Sequence, residues 1–484
     1  MSHPGMADFL EGLGQSGQLV RVAAEVDSAL EVAEITRRAA RTGGPALLFG
    51  AVKGRHFPVI TNLLGTESRV CRALRVKSVA EAAERIAALT QPTAPGGWFE
   101  RLAAGSAQGG LRKLCPKTVR SGPCQQVVAL GRDVSLDDLP ILQCWPEETG
   151  PTLTAARVHA CDPDSGRPWV ARYDLRVLDR NRLVAGWHDH DEPARWLAQH
   201  KLRGEPLPLA IAVGGDPADL LAAMAPAPAD VDRSCLAGLL RGRPVEVVKC
   251  RTVDLEAPAD AEIVIEGFID PAEAPTATGP LGLSNGFYQR SRLGPVIHVT
   301  AVTHRANPIC QAMVPGPPPD EHCVIAQTLQ QVFVPLVKAA IPELVDWWFP
   351  NFGAARHWGL VSIRKTYPGQ ARRVAHALWG MPHLMFTKFW VIVDEGVELR
   401  DPDQVWLAVA AHAEAGADIN FHQGPRDPWD PASGAGELAW GTAIDATAKL
   451  PGEYQGDRPG ATVTSDQICR LVEGRWEQYG LPAR

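Results

Sequence analysis

The sequence predicts a protein in which two α/β regions flank a central β region, and two observations indicate this. Helix-type and strand-type patterns alternate over the first 115 residues and again from residue 313 onward, which is typical of α/β domains. Between them, short runs have apolar residues at every second position and are separated by turn residues, which indicates a mostly antiparallel β region. We therefore expect three domains, 1–115, 116–312 and 313–484, in a chain of 484 residues.

Short motifs predict where several helices begin. Ser28 with Glu31, and Ser78 with Glu81, have the spacing of a capping box, and helical periodicity follows each pair. Further along, Asp320 has the position of an N-cap. Residues 90–110 are rich in turn formers and predict a linker with one short helix.

The composition narrows the function classes. The net charge is −7 and the pI about 6.1, which argues against a basic face for nucleic acid. We read no apolar run that approaches the ~20 residues needed to span a bilayer, and no secretory signal at the start. The ten cysteines form no CxxC pair, which favours reduced thiols. We expect a cytoplasmic protein with neither nucleic acid nor membrane as a partner.

Three groups of polar residues are candidates for a site. His188 and His190 follow a predicted strand on one face, and they are either a metal-binding pair or ordinary strand-end histidines. Arg172 and Asp174 also share a strand face. They are either an arginine that orients a carboxylate or a simple strand ion pair. Lys388 lies among apolar residues, so it is either at a strand end or paired with an anion.

The segment ATGPLGLSNGFY, residues 277–288, has the glycine and proline content of an active-site loop. Its central residues 278–283 include no ionisable side chain. Because proton transfer needs such a group, this loop raises the question of which residue carries a proton.

Seven segments, taken in order, resemble the UbiD family of decarboxylases, and together they extend over roughly residues 10–455. They are LPILQCWPEETGPTLT, RVLDRNRLVAGWHDH, AGLLRGRPVEVVKC, APADAEIVIEGFID, VPGPPPDE, SIRKTYPGQARRV and MFTKFWVIVDE.

The resemblance implies a fold and a chemistry. It implies a central split β-barrel like that of flavin reductases, and a C-terminal domain that forms homodimers or hexamers. Family members use prenylated FMN, supplied by a flavin prenyltransferase, to decarboxylate or carboxylate aromatic and α,β-unsaturated acids. We expect prenylated FMN here, with FMN or no cofactor as alternatives.

The resemblance also places catalytic residues. The family turn reads acid-Gly-Pro-aromatic-Gly-acid, and Thr278 and Leu283 stand where the two acids are expected. Asp174 falls at the position of the family arginine, with Arg172 two residues away on the same face. His188 is the alternative proton donor, because an imidazole titrates near neutral pH.

The same alignment changes the expected cofactor contacts. Family members hold the cofactor phosphate through a divalent metal, usually manganese, bound by an asparagine, a histidine and a glutamate. These positions fall on Trp169, His190 and Arg233, so His190 is the only metal ligand retained. We expect Arg233 to neutralise the phosphate directly, with Lys388 adding positive charge. A further cofactor contact is expected at Met224.

The first hypothesis is therefore a carboxy-lyase with an atypical catalytic site. The alternatives are a catalytically degenerate homologue that acts as a partner subunit or binds flavin or acid without turnover, and different chemistry in the same pocket. The resemblance places residues 311–316, with Met313 as an apolar wall, and the loop 424–434 in the pocket lining.

Overall fold

A computed structural model describes residues 5–88, 114–188, 190–227, 231–434, 436–454, 459 and 462–481. The helices are α1 (Met6–Gln15), α2 (Glu31–Arg41), α3 (Glu67–Ala73), α4 (Val79–Ala87), α5 (Glu192–Arg203), α6 (Pro217–Met224), α7 (Arg233–Arg241), α8 (Glu321–Ala340), α9 (Gln370–Trp379), α10 (Pro402–His412) and α11 (Asp466–Gly474). The strands of the first 304 residues are β1 (Leu19–Val26), β2 (Ala46–Val52), β3 (Val59–Thr61), β4 (Lys117–Thr118), β5 (Val127–Leu130), β6 (Thr152–Cys161), β7 (Pro168–Asp179), β8 (Arg182–Ala185), β9 (Leu207–Val213), β10 (Glu246–Lys249), β11 (Glu256–Pro258), β12 (Ile263–Ile269), β13 (Thr276–Ala277), β14 (Leu281–Gly282), β15 (Tyr288–Gln289), β16 (Leu293–Gly294) and β17 (Val296–His304). The remaining strands are β18 (Cys310–Gln311), β19 (Leu344–Trp348), β20 (Trp358–Ile363), β21 (Phe389–Asp394), β22 (Ile419–Pro425) and β23 (Leu438–Asp445).

The first sheet has the order β1-β2-β3-β18. Its outer pairs are parallel and the central β2–β3 pair is antiparallel. Because β18 comes from residues 310–311, the end of the central region is hydrogen-bonded to the first sheet. The linker expected at residues 90–110 lies outside the described residues.

The capping predictions have different outcomes. Ser78 is confirmed as an N-cap, since its side chain accepts a hydrogen bond from the amide of Glu81. The Ser28 capping box is wrong: α2 begins after Leu30, which has a φ of 68° and no side-chain cap. The reason is a tertiary contact, because the amide of Leu30 donates to the carbonyl of Gln143 at 2.8 Å.

The central region contains a closed, six-stranded antiparallel barrel in the order β12-β9-β6-β7-β8-β17, with β17 returning to β12. Apolar side chains from all six strands form one buried cluster that fills it. This agrees with the β region predicted from the period of two. The mixed α/β fold around a closed barrel is thus observed, whereas the split-barrel subtype and the domain limits stay predictions.

The barrel's inner and outer faces follow from the alternation along β6 and β7. Val158 and Leu175 belong to the barrel's inner cluster, so the residues between such positions point outward. Arg157 of β6 and Arg172 of β7 are direct cross-strand partners on this outer face. The outer face of β7 is therefore where Arg172 and Asp174 meet the rest of the protein.

The last sheet has the order β19-β20-β21-β23-β22, with the two inner pairs parallel. Helix α8 precedes it, and the carboxylate of Asp320 caps this helix by accepting from the amide of Cys323 at 2.8 Å. The helix has 20 residues, and an 18-residue window of it has a mean hydropathy of 1.3, so by length and composition alone it could cross a membrane, which corrects the expectation that no run approaches that length. Half of that window is buried inside the protein, as in the core helix of a globular domain.

Candidate active site

A small cleft lies where the barrel, helix α8 and a loop after β22 meet. Its lining combines charged, aromatic and aliphatic side chains with a short stretch of the turn at residues 282–284. The lining residues are Arg172, Asp174, Gly282, Leu283, Ser284, Met313, Val314, Pro315, His322 and Trp429. Met313, Val314 and Pro315 come from the segment 311–316, and Trp429 comes from the loop 424–434, both of which were expected to line a pocket.

Arg172 and Asp174 are the charged pair of the cleft. The Arg172 guanidinium forms an ion pair with the Asp174 carboxylate, and its Nε donates to the carbonyl of Thr154 at 2.8 Å. Burial raises the pKa of Asp174, and the neighbouring guanidinium opposes that rise. The side chain of Arg172 is 11% exposed, so one side of the guanidinium faces the cleft. The pair can therefore bind an anion and hold a proton.

His322 and Trp429 face this pair across the cleft. The two rings lie 5.6 Å apart between centroids. Burial, with the positive charges of Arg172 and Arg356, lowers the pKa of His322 to about 3. The imidazole is therefore neutral at pH 7 and can donate one hydrogen bond and accept another.

The turn at residues 281–284 is held from behind by two side chains. The indole of Trp145 donates to the carbonyl of Pro315 at 3.0 Å and lies so near Gly282 that a Cβ there would be 2.0 Å from the indole. Glu148 accepts from the amide of Gly282 at 3.1 Å. Burial raises the pKa of Glu148, and the Asp174 carboxylate adds to that rise. Leu283 is thus held as part of the apolar wall of the cleft.

The two histidines after β8 lie beside the turn that carries Thr278. The rings of His188 and His190 are stacked, with centroids 5.3 Å apart, and His188 Nδ1 contacts the Arg292 guanidinium. Burial and Arg292 lower the pKa of His188 to about 3. His188 is therefore neutral at pH 7 and is not among the side chains that line the cleft. The Thr278 hydroxyl accepts from the amide of Arg292 at 3.1 Å.

Residues 356–430 form a further side of the candidate site. Arg356 donates to Asp427 at 2.6 Å, and its guanidinium lies 4.8 Å from the ring centroid of Trp429. Burial favours the neutral form of Asp427, but Arg356 and His357 outweigh it and hold the pKa of Asp427 far below its ordinary value. This ion pair fixes the loop that presents Trp429 to the cleft.

The other expected cofactor contacts lie apart from the cleft lining. Trp169 packs edge-on against Trp196, with centroids 5.4 Å apart. Met224 ends α6 and packs against the second apolar cluster. Arg233 begins α7 and donates to the carbonyl of Ala227 at 2.5 Å. The roles assigned to these three residues stay predictions.

The position of Lys388 can be compared with the two alternatives that the sequence left open, a strand end or an anionic partner. It directly precedes β21, and its ammonium donates to both oxygens of Asp430, at 3.2 and 3.1 Å. Both alternatives therefore hold, because Lys388 lies at a strand end and is paired with an anion.

A divalent metal does not fit the residues described. Within those ranges, no three His, Cys, Asp or Glu side chains are grouped as a metal site requires. His190, the one ligand that the family resemblance retains, has its closest carboxylate at 3.8 Å, from Asp191. The Arg356 guanidinium lies 5.0 Å from the ring centroid of Phe386 and 4.8 Å from that of Trp429.

Two residues of the site were missed by the sequence reasoning. His322 directly follows the VPGPPPDE segment, where Asp320 was explained as a helix start. Glu148 lies within the LPILQCWPEETGPTLT segment, which was used only to recognise the family. The acids Glu147 and Glu148, between Pro146 and Gly150, were a usable signal in that segment. For His322 no local signal exists, because its role depends on how α8 packs on the barrel.

Comparisons with known proteins agree with this architecture. Three domains described as parts of a 3-octaprenyl-4-hydroxybenzoate carboxy-lyase match: the N-terminal domain over residues 10–89, the Rift-related domain over 117–318 and the C-terminal domain over 323–448. Together the three matches cover most of the chain, from residue 10 to residue 448. The chain belongs to the UbiD family.

Individual relatives support the same assignment. An uncharacterized protein of Aquifex aeolicus (strain VF5) is 36% identical over 477 residues, covering 98% of both chains. The UbiD-class enzyme HmfF of Pelotomaculum thermopropionicum, solved with FMN, is 30% identical with a TM-score of 0.77, covering 97% of this chain and all of that one. HmfF has also been solved with prFMN in an evolved dimeric form. The closed form of Sedimentibacter hydroxybenzoicus vanillic acid decarboxylase is 26% identical with a TM-score of 0.87, covering 99% of each chain.

Proposed function

We propose that this protein is a flavin-dependent carboxy-lyase that removes carbon dioxide from, or adds it to, an aromatic or α,β-unsaturated acid. The observation that carries the proposal is the Arg172–Asp174 pair, which opens into an apolar-walled cleft on a UbiD-family fold. An anion-binding guanidinium beside a proton-holding carboxyl is what decarboxylation needs from the protein.

Arg172 binds the carboxylate of the substrate. A guanidinium matches a carboxylate in geometry and charge, and the low exposure of Arg172 strengthens the attraction. Substrate binding at this side chain leaves the Asp174 carboxyl next to the reacting carbon.

Asp174 supplies the proton that replaces carbon dioxide. Its raised pKa makes it more readily protonated than an ordinary aspartate, which suits a residue that gives up a proton and takes it back. This assigns to Asp174 the role that the two acids of the family turn are expected to have, since Thr278 and Leu283 carry no such proton.

His322 and the apolar wall select the substrate. Met313, Val314 and Trp429 favour a planar, apolar acid and exclude water from the reacting carbon. The neutral His322 imidazole can bind a polar substituent on that acid.

Prenylated FMN is the cofactor that this proposal assigns. When bound, it supplies the electron sink for breaking the carbon–carbon bond. We assign the balancing of its phosphate charge to Arg292 and Lys388, with Arg233 from α7 as a third candidate. We further propose a cytoplasmic homodimer or hexamer that receives the cofactor from a flavin prenyltransferase.

The test is production with a flavin prenyltransferase, followed by a screen of aromatic, heteroaromatic and α,β-unsaturated acids for exchange of their carboxylate with ¹³C-labelled bicarbonate. Exchange in the wild type and its loss in Asp174→Asn supports the proposal. Asp179→Asn is the matched control, because Asp179 lies on the same strand and is 40% exposed. A flavin-loaded protein that exchanges no acid in the panel contradicts the proposal and favours the partner-subunit alternative.

A further inference from the structure

Two of the ten cysteines lie close together outside the cleft. The Sγ atom of Cys235, in the first turn of α7, is 2.9 Å from the Sγ atom of Cys115. This is about 0.9 Å longer than a disulfide bond of ~2.0 Å, so little movement would join them. Both residues are partly exposed, whereas Cys71, Cys124 and Cys144 are buried. The pair is therefore within reach of a small oxidant.

The backbone on both sides holds these sulfurs in place. Two residues after Cys115, strand β4 pairs with β10, and the amide of Lys117 donates to the carbonyl of Val245 at 2.8 Å. One turn after Cys235, a Cβ at Gly238 would lie 2.0 Å from the carbonyl oxygen of Leu114. The chain before β4 thus lies directly against α7, and the absence of a side chain at Gly238 permits that approach.

The surroundings make the two thiols unequal. The Cys235 thiol lies 3.4 Å from the Asp232 carboxylate, and burial with that negative charge raises the pKa of Cys235 well above its ordinary value. Because the thiolate is the reactive form, the raised pKa makes Cys235 the poorer first nucleophile and suits it to the second, resolving step.

We propose that Cys115 and Cys235 form a reversible intramolecular disulfide with hydrogen peroxide as the oxidant. The Cys115 thiolate attacks one peroxide oxygen, which gives a sulfenic acid and, after protonation, one water. The sulfur of Cys235 then displaces the sulfenic hydroxyl, which leaves as a second water with the Cys235 proton. The two thiols are oxidised by two electrons and the peroxide is reduced. A thiol reductant reverses the bond.

The disulfide fixes the first turn of α7 to the chain before β4. That turn contains Asp232, which caps the helix through the amides of Ser234 and Cys235, and Arg233. The bond joins residues 120 positions apart, so it also restrains the unfolded chain. We expect the melting temperature of the oxidised protein to exceed that of the reduced protein by about 5 °C.

The experiment uses the full chain, treated with hydrogen peroxide, alkylated, digested and mapped by mass spectrometry before and after dithiothreitol. The expected result is a linked peptide pair containing Cys115 and Cys235 that dithiothreitol abolishes, with titratable thiols in denaturant falling by two from ten. Recovery of both cysteines as alkylated thiols, or as sulfonic acids, would overturn the proposal.

Variants provide the matched comparison. Cys235→Ser and Cys115→Ser should each lose both the linked pair and the rise in melting temperature, whereas Cys469→Ser, which changes an exposed cysteine, should retain both. If the linked peptides join two copies of the chain, as a dimer on a non-reducing gel shows, the intramolecular bond is excluded. Because the mapping is done on the wild type, a variant that fails to fold leaves the test intact.

Discussion

Two arginines that face each other across β6 and β7 have opposite surroundings. Arg157 is 1% exposed, donates to the carbonyl of Gly214, and lies in the field of the carboxylates of Asp219, Asp260 and Asp216. Its cross-strand partner Arg172 has one carboxylate partner and opens into the cleft.

A partly buried histidine accompanies each arginine. Burial and Arg157 lower the pKa of His159 to about 3, and burial with Arg172 does the same for His322. We name Arg157, His159 and Asp219 the enclosed group, and Arg172, Asp174 and His322 the cleft group. The comparison teaches that residue type and strand position do not separate a structural charge from a binding one. What distinguishes the two arginines is the access of solvent to the guanidinium and the number of carboxylates that already neutralise it.

The largest effect is expected in the cleft group, on turnover. Asp174→Asn should lower the rate of carboxylate exchange by about 10²–10⁴-fold, because the amide cannot give up a proton at neutral pH. The measurement is exchange of ¹³C-labelled bicarbonate into whichever acid the screen identifies. The exposed Asp179→Asn should stay near the wild type. A rate for Asp174→Asn within threefold of the wild type would remove this residue from the mechanism.

A substitution in the enclosed group should change the stability of the protein rather than its turnover. Arg157→Met leaves Asp219 and Asp260 buried with less opposing charge, so we expect the free energy of unfolding to fall by about 3 kcal/mol. Arg172→Met should cost about 1 kcal/mol, because Asp174 faces the cleft and can take up a proton or water. Urea unfolding of both variants measures the contrast. Equal losses for the two variants would show that the two groups do not differ in this way.

The wall of the cleft group gives an intermediate effect. In Gly282→Ala, the new methyl group would lie 2.0 Å from the Trp145 ring, which is held by its hydrogen bond to Pro315. We expect overpacking to lower the free energy of unfolding by about 1–3 kcal/mol. Because Leu283 shifts as well, the Michaelis constant should rise. Gly396→Ala is the control, since a Cβ there meets no atom within 4 Å. An unchanged melting temperature in Gly282→Ala would show that the turn is not fixed by Trp145.

The sequence predicts much of the fold because its signals are local. The period of two predicted five of the six barrel strands, all but β6, and the shared face of Arg172 and Asp174. The start of α2 could not be predicted, since the hydrogen bond from Leu30 to Gln143 joins segments far apart in the chain.

The residues of the candidate site also fall into those that the sequence predicted and those that it could not. The wall at Met313 and in the loop of Trp429 was expected from the family resemblance. The approach of His322 to Arg172 could not be, because it depends on the packing of α8 against the barrel. The enclosed group was missed for a related reason: Arg157 and Asp219 come from separate elements, and only their burial in the folded protein brings them together.

The smallest effect concerns the two histidines and the direction of their pH dependence. Both have pKa values of about 3 when folded, below the value of about 6.5 in an unfolded chain, so the unfolded state binds more protons below pH 6.5. Each histidine therefore lowers stability as the pH falls from about 6.5 towards 3. His322→Gln lacks this titration, so its free energy of unfolding should fall by about 1–2 kcal/mol less than that of the wild type on going from pH 7 to pH 5. Urea unfolding at both pH values measures the difference. His159→Gln should gain similarly and the exposed His56→Gln should not. If His322→Gln alone shows no such difference, the cleft is open enough for His322 to be protonated in the folded protein. The cleft group and the enclosed group would then differ more in solvent access than the equal pKa values of their histidines suggest.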